Sequence, residues 1–363
     1  KIVKILILTN NDIGVYKFRK ELLMALIEEK HQVFVSLPDG EFIPEIEKLG
    51  CKVLLTEISR HGINPFEDLN LFAKYRYLLK KIRPDIVFTY TIKPNIYGGI
   101  ACAIQKIPYV SNITGLGTAV EKKGILQPIT VNLYRYAMRK AKTVFFQNRE
   151  NEEFFSQKNI AIGKHKMIPG SGVNLIQYKV TPYPNSNTVD FVFISRIMKE
   201  KGIEQYLDAA KEIRKKYPET RFHICGFCEQ EYEEKLKKLD ADGTIVYHGM
   251  VSNIVDIHRF SSCTIHPTYY PEGISNVLLE SCACGRPIIT TDRSGCREVV
   301  DDGVNGFIVK QKDSMDLIKQ IEKFLSLSWE ERKQMGLAGR KKVEKEFNRQ
   351  IVINKYLAEV KEC

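Results

Sequence analysis

The sequence predicts an α/β fold: two doubly wound, parallel-sheet domains in succession. Three observations carry this. The chain has 363 residues, 44% of them hydrophobic, enough for two domains of ordinary size with a core in each. Short apolar, β-rich runs alternate with longer stretches of helical period along the whole length. The alternation breaks once, at 181–187, where T-P-Y-P-N-S-N is turn-forming and poor in apolar residues.

The first strand is expected at 2–9, I-V-K-I-L-I-L-T, an apolar run fit for a central parallel strand. A helix follows at 15–30, then strands at 32–37 and 52–56. An amphipathic helix at 65–82 leads into a strand at 85–90. A helix at 95–105, a strand at 108–113, a helix at 126–141 and a strand at 143–147 continue the rhythm. This domain is placed at 1–183. Beyond the break, strands are expected at 190–195, 221–225, 245–248, 264–267, 287–291 and 306–309. Helices are expected at 203–217, 229–239, 254–260, 275–284, 314–325 and 329–347. The second domain is thus 184–348, and a last helix fills 349–363.

The formal net charge is +11, which favours an anionic partner: a nucleotide, a nucleic acid or an anionic membrane surface. No aromatic-basic surface motif supports nucleic acid, and none is expected as a partner. No run of about 18 apolar residues occurs, so no transmembrane helix is expected. The chain opens on Lys1, without an initiator Met, and so reads as something other than the raw gene product. It begins on a buried-type strand and not a signal peptide. Nine cysteines, an odd number spread from Cys51 to Cys363, do not form a secreted disulfide framework. The expected compartment is the cytoplasm.

Metal chemistry finds little support in the spacing. Cys225 and Cys228 form a C-x-x-C without a second pair at finger spacing, so they read as plain thiols. His31, His61, His165, His223, His258 and His266 make no metal-ligand spacing with each other or with cysteine. Asp240-Ala241-Asp242 ends a helix before Gly243 and reads as a turn. No required metal and no cofactor are expected.

The stretch 271–286, P-E-G-I-S-N-V-L-L-E-S-C-A-C-G-R, carries the most chemistry. Tyr269, Tyr270, Pro271 and Gly273 are loop residues. Ser275 or Asn276 can cap a helix that Gly285 ends. Val277, Leu278, Leu279, Cys282, Ala283 and Cys284 make that helix apolar nearly all round, hence buried. Glu280 inside it then needs a partner. Either a phosphate sits at the helix start with sugar hydroxyls on Glu280, or Glu280 has an internal salt bridge and Glu272 is exposed.

In 195–202, S-R-I-M-K-E-K-G, three cations stand between a strand and a helix. Cations at a helix start oppose its dipole, and a bound diphosphate would compensate Arg196 and Lys201. Lys199 reads as a solvated neighbour. A G-x-G-x-x-G fingerprint is missing after the first strand. Gly14 there is either a turn glycine or a point of backbone approach to a ligand. Thr114-Gly115-Leu116-Gly117 follows another strand and can form an anion-binding nest.

The Glu272/Glu280 spacing, the Ser195-Arg196…Lys201-Gly202 segment and the Thr114–Gly117 loop together resemble the retaining glycosyltransferases of family four (glycosyl transferases group 1). These have two facing Rossmann-like domains, the GT-B fold. The likeness covers most of the chain. It implies Glu272 near the donor sugar, Glu280 near the ribose, and Arg196 and Lys201 on the diphosphate, with Glu272, Arg196 and Lys201 catalytic. It implies donor contacts from Gly14, Met250, Val251, Gly273, Ile274, Ser275 and Asn276. Arg60, Lys93, Thr114, Gly115 and Gly117 fall on the acceptor side. The last helix would cross back to the first domain.

The implied partners are a nucleotide sugar, a UDP-hexose or UDP-N-acetylhexosamine, and a polyprenyl-diphosphate-linked glycan acceptor. The implied setting is capsule, O-antigen or glycoprotein glycan assembly. Lys122, Lys123, Arg135, Arg139, Lys140 and Lys142 surround apolar residues of one helix, with Glu121 beside them. That pattern suits the anionic inner face of the cytoplasmic membrane, or else a solvated helix packed on its own sheet. Two other readings stand beside transfer. One is a non-hydrolysing UDP-sugar epimerase on the same fold, and the other is a catalytically silent nucleotide-sugar-binding subunit.

Overall fold

The computed structural model describes residues 2–59, 64–117, 120, 124, 126–229 and 231–363. Arg60, Thr118, Glu121, Lys122 and Lys123 lie outside the described residues. The chain divides into two units, Lys1–Ser171 with Gln350–Cys363, and Gly172–Arg349.

In the first unit the strands are β1 (Lys4–Leu8), β2 (Gln32–Leu37), β3 (Lys52–Leu55), β4 (Ile86–Tyr90), β5 (Tyr109–Ile113), β6 (Thr143–Phe146) and β7 (His165–Met167). Among the described residues they form one sheet in the order β3-β2-β1-β4-β5-β6-β7, parallel throughout. The helices are α1 (Asp12–Glu28), α2 (Ile43–Lys48), α3 (Pro65–Ile82), α4 (Gly99–Gln105), α5 (Leu126–Met138) and α6 (Arg149–Gln157). A π-helical turn, Pro94–Gly98, precedes α4.

Helix α1 starts three residues earlier than the periodicity suggests. Asn11 caps it by accepting the Gly14 N–H, so the cap, not the first apolar residue, sets its start. The elements α2, α6 and β7 have no counterpart in the periodicity. Each is short, and β7 is only H-K-M, held by register with β6 rather than by its own pattern.

In the second unit the strands are β8 (Val189–Ile194), β9 (Thr220–Cys225), β10 (Val246–Gly249), β11 (Cys263–His266), β12 (Ile288–Thr291) and β13 (Gly306–Val309). Their order is β10-β9-β8-β11-β12-β13, again parallel. The helices are α7 (Ile203–Lys216), α8 (Glu233–Ala241), α9 (Ile254–Phe260), α10 (Asn276–Ala283), α11 (Ser314–Leu325) and α12 (Trp329–Glu346). The strand order reverses between β1 and β4 in one sheet and between β8 and β11 in the other. In such sheets ligands bind beyond the carboxyl ends of the strands at these switch points.

The last helix, α13 (Arg349–Lys361), begins at the final residue of the second unit and otherwise belongs to the first. Its Tyr356 is fully buried among the rings of Phe88, Tyr90 and Phe145. The Asn112 side-chain amide donates to the Tyr356 hydroxyl at 2.8 Å. Lys142 donates to the Glu359 carbonyl at 2.8 Å and ion-pairs with Glu362 at 3.3 Å. Lys142 is thereby removed from the basic surface that the sequence suggested.

The division falls at 171/172, not at 183/184. Residues 172–183, placed in the first domain by the sequence, are sewn into the second unit. Val173 exchanges backbone hydrogen bonds with Phe347 and Arg349. The Tyr183 hydroxyl donates to the Ser262 carbonyl. Above all, Arg286 is fully buried and donates to the carbonyls of Thr181, Pro182, Cys284, His258 and Arg259. A guanidinium has donors enough for this fan and no carboxylate is needed to hold it.

Arg286→Leu should therefore leave a cluster of buried carbonyls without donors. Hydrogen bonds to a charged group contribute about 1.5–3 kcal/mol each. The variant is expected to lose at least about 3 kcal/mol of unfolding free energy, measured by urea denaturation. A loss below ~1 kcal/mol would mean that the segment 172–183 holds its place without Arg286.

Candidate active site

The second unit's switch point brings two loops together. One leaves β8 and carries Arg196 and Lys201. The other leaves β11 and carries Tyr270 and Glu272. Gly202 joins them: its φ is +81°, and a Cβ there would lie 2.2 Å from the Pro267 carbonyl oxygen. Only glycine allows this approach at this backbone angle. The loops are further tied by Tyr269 N–H donating to the Glu200 carbonyl at 2.9 Å.

Lys201 and Glu272, 71 residues apart in sequence, form a buried ion pair with side chains 10% and 13% exposed. His266 Nε2 stands 3.7 Å from the same carboxylate oxygen. Burial works against the Glu272 charge. Lys201 and His266 outweigh it and hold the carboxyl well below its usual range. Burial also lowers the His266 pKa, with Lys201 acting in the same sense and Glu272 opposing. The phenol ring of Tyr270 lies beside both cations, 4.8 Å from Lys201 Nζ and 5.3 Å from the Arg196 guanidinium. Such contacts partly offset the cost of holding two cations together. Arg196 pairs with Glu229 at 2.6 Å.

These pairs correct the charge account drawn from sequence. The compensation assigned there to a bound diphosphate is supplied within the chain by Glu229 and Glu272. The alternative of an exposed Glu272 is also wrong, because the carboxylate is nearly closed off. Lys199 is exposed, as expected of a solvated neighbour.

Helix α10 begins after Ser275, which is its N-cap but makes no side-chain capping bond. Gly273, Ile274, Ser275 and Asn276 form its approach. Ile274 and Ser275 are buried, and the Ser275 N–H donates to the Gly295 carbonyl at 2.8 Å. A Cβ on Gly295 would fall 2.3 Å from the Gly273 oxygen, so the loop after β12 presses directly on this approach. Glu280 faces Tyr178, whose phenol is held well above its ordinary range by burial and by that carboxylate. Met250 is 69% exposed, while Val251 packs beside Val192, Cys225 and Ile257.

The remaining predicted residues belong to the first unit. Gly14 lies in the first turn of α1 with its N–H given to Asn11. Its N–H is thus engaged in capping, while the position still lacks a side chain. Thr114, Gly115 and Gly117 follow β5 at the sheet's carboxyl edge, and a Cβ on Gly117 would strike Ile92. Lys93 is not a loose surface charge. It pairs with Asp68 at 2.7 Å, both side chains mostly buried, and Asp68 also accepts from the Tyr97 hydroxyl. Glu57, Ser59, Asp68, Lys74 and Lys93 help to line a cavity of about 380 Å³.

Asp240 and Asp242 accept backbone N–H groups of Tyr247 and Thr244, as expected of a turn. The histidines and cysteines make no ligand spacing along the chain, but three potential ligands meet in space. His266, Glu272 and Cys296 each bring one potential ligand atom within 4.8 Å of the others. They come from the end of β11, the loop after it and the loop after β12, so no spacing could have revealed them. Tyr178 and Gly295 were equally silent in sequence, and Tyr270 read only as a loop residue.

Comparison with known proteins supplies the family and the fold. A family model described as glycosyl transferases group 1 matches residues 180–342, and one described as glycosyl transferase 4-like matches 4–148. The chain belongs to the family-four glycosyltransferases. It is 27% identical over 330 residues to the N,N'-diacetylbacillosaminyl-diphospho-undecaprenol alpha-1,3-N-acetylgalactosaminyltransferase of Campylobacter jejuni, covering 86% of each chain. It is 28% identical over 343 residues to the capsular polysaccharide biosynthesis glycosyltransferase CapM of Staphylococcus aureus, covering 90% of this chain and 89% of that one. The fold is similar to that of Anabaena HepE, solved in complex with UDP and glucose. The TM-score there is 0.81 at 21% identity, over 99% of both chains. This glycosyltransferase has the GT-B fold class, with a Rossmann-like parallel sheet in each unit.

Lys201→Met should destabilise the enzyme, because it strands a buried carboxylate; breaking one side of a buried pair costs about 3–5 kcal/mol. Adding Glu272→Gln should recover much of that loss, and a double-mutant cycle by denaturation reads the coupling. The sign with pH follows from the lowered Glu272 pKa. The pair's contribution is fully present above the ordinary carboxylate range and declines as pH falls below it. Additive losses from the two substitutions would contradict the pair.

Proposed function

We propose that this glycosyltransferase is a retaining enzyme that moves a hexose or N-acetylhexosamine from a UDP-sugar to a polyprenyl-diphosphate-linked glycan in bacterial surface glycan assembly. The observation that carries the reading is the cluster Arg196, Lys201, Tyr270 and Glu272 at the second unit's switch point. Two fixed cations beside a helix start suit a departing nucleotide diphosphate. Glu272 orients the donor sugar and Glu280 meets the ribose. Gly273, Ile274, Ser275 and Asn276 line the diphosphate, and Met250 and Val251 lie along the base. No metal is required, since the cations do the work a divalent ion would do. The acceptor belongs to the first unit, with Thr114, Gly115, Gly117 and Lys93 around it. The named acceptor of the Campylobacter relative supports the lipid-linked class.

The donor chemistry predicts metal-independent binding of UDP over GDP by calorimetry. Tight binding of GDP alone, or loss of UDP binding in chelator, would sink it. Arg196→Ala should lower turnover by about 10²–10³, with little effect on folding because Arg196 is a loop residue with 34% of its side chain exposed. Incubation with labelled UDP-sugars and lipid extract separates transfer from epimerisation and from mere binding.

The enzyme is further proposed to work at the anionic inner face of the cytoplasmic membrane. Among the described residues, no helix is long and apolar enough to cross a membrane. Helix α5 buries Val131, Tyr134, Ala137 and Met138 against its own unit. Its other side leaves Leu126, Ile129 and Tyr136 exposed, with the exposed cations Arg135, Arg139 and Lys140 on or just beyond it. Apolar anchors with basic neighbours suit a headgroup layer, each cation contributing about 1 kcal/mol. The triple variant Arg135→Glu, Arg139→Glu, Lys140→Glu should lose binding to anionic vesicles and turnover on lipid acceptor together. Turnover on a soluble analogue should persist. Parent-like vesicle binding by the variant would remove this helix from the membrane contact.

A further inference from the structure

The unassigned feature with most chemistry is the trio His266, Glu272 and Cys296. His266 ends β11, Glu272 sits in the loop that follows it, and Cys296 sits in the loop after β12. One nitrogen, one carboxylate oxygen and one sulfur lie within 4.8 Å of one another. His266 and Cys296 are 2% and 0% exposed. Among the described residues neither ring nitrogen of His266 has a hydrogen-bond partner, an uncommon state for a buried imidazole.

We infer that His266, Glu272 and Cys296 form a binding site for a divalent ion of the Zn²⁺ class, in competition with Lys201. The donor set decides the class. Imidazole and thiolate suit Zn²⁺, whereas Mg²⁺ takes oxygen ligands. The distances show that His266 and Glu272 already stand close to ligand spacing. Two ligands about 2.05 Å from a tetrahedral Zn²⁺ stand about 3.4 Å apart, and a nitrogen–sulfur pair about 3.6 Å. His266 Nε2 and Glu272 Oε1 are already at 3.7 Å. On binding, the Cys296 thiol releases its proton to solvent. Carboxylate and thiolate then together balance the two positive charges.

Lys201 sets the competition. Its ammonium rests on the same Glu272 oxygen. A dication there would face a cation across a short, poorly screened distance. The ion and the Lys201–Glu272 pair are therefore mutually exclusive. Metal occupation releases Lys201 from Glu272 and disarms the cluster, so the ion acts as an inhibitor and not as a cofactor. Binding itself does not depend on the transferase reading.

Co²⁺ is the probe, because a thiolate ligand gives it a sulfur-to-metal charge-transfer band that needs no turnover. The full chain should show this band, and Zn²⁺ but not Mg²⁺ should abolish it by displacement. Cys296→Ser should lose the band. His266→Gln should weaken Zn²⁺ binding by roughly tenfold or more, and Lys201→Met should tighten it, since the competitor is gone. Should Cys296→Ser fail to fold, the His266 and Lys201 variants decide the matter. A parent chain without the band overturns the site, as does a band retained in Cys296→Ser or parent-like binding in His266→Gln. Weaker binding in Lys201→Met overturns the competition.

Discussion

The Lys201–Glu272 ion pair is the constraint around which the loops at the second unit's switch point are arranged. Burying two charges is costly unless each is held against the other and supported by further contacts. Here the support is explicit. His266 stands behind the carboxylate and Tyr270 beside the ammonium. Gly202 lets one loop lie on the backbone of the next, and Gly295 lets a third do the same. A side chain at either glycine would push the loops apart and separate the charges.

The same arrangement bears on the donor role proposed for these cations. Both cations suited to a diphosphate are already engaged, Arg196 with Glu229 and Lys201 with Glu272. Under the proposed function, donor binding is an exchange of partners, not the filling of an open positive hole. An exchange keeps the cations in place without ligand, so little rearrangement is needed when charge develops on the leaving group. The two pairs differ in exposure. Glu229 is nearer solvent and gives way more readily than the enclosed Glu272.

The charge of +11 is not spread idly. In the first unit, Lys93 is bound to Asp68, and Lys142 and Lys166 to Glu359. Glu359 is 2% exposed, and it fastens the last helix to strands β6 and β7 through these lysines. The cations Arg135, Arg139 and Lys140, by contrast, remain at the surface of α5, next to exposed apolar side chains. A count of basic residues merges structural cations with surface ones, and only their partners separate them.

Much was legible in sequence. The alternation of strand and helix needs only local periodicity, because a parallel strand buried on both faces is a continuous apolar run. The helix from Asn276 was legible because its apolar girth, its Gly285 stop and its glutamate stand within a few residues of one another. Short elements such as β7 were lost, since three residues carry no period. The boundary was misplaced because turn-forming residues 181–187 mimic a linker, while the donors that bind them sit on Arg286, a hundred residues on. What the sequence determined by itself was thus the fold class and the residue types of the site. The tertiary structure decided which charges meet. Lys201 finds Glu272 across 71 residues, and His266, Glu272 and Cys296 converge from one strand end and two loops. Local periodicity reports on neighbours in the chain, whereas an ion pair depends on neighbours in space, and those were set by the strand order at the switch point.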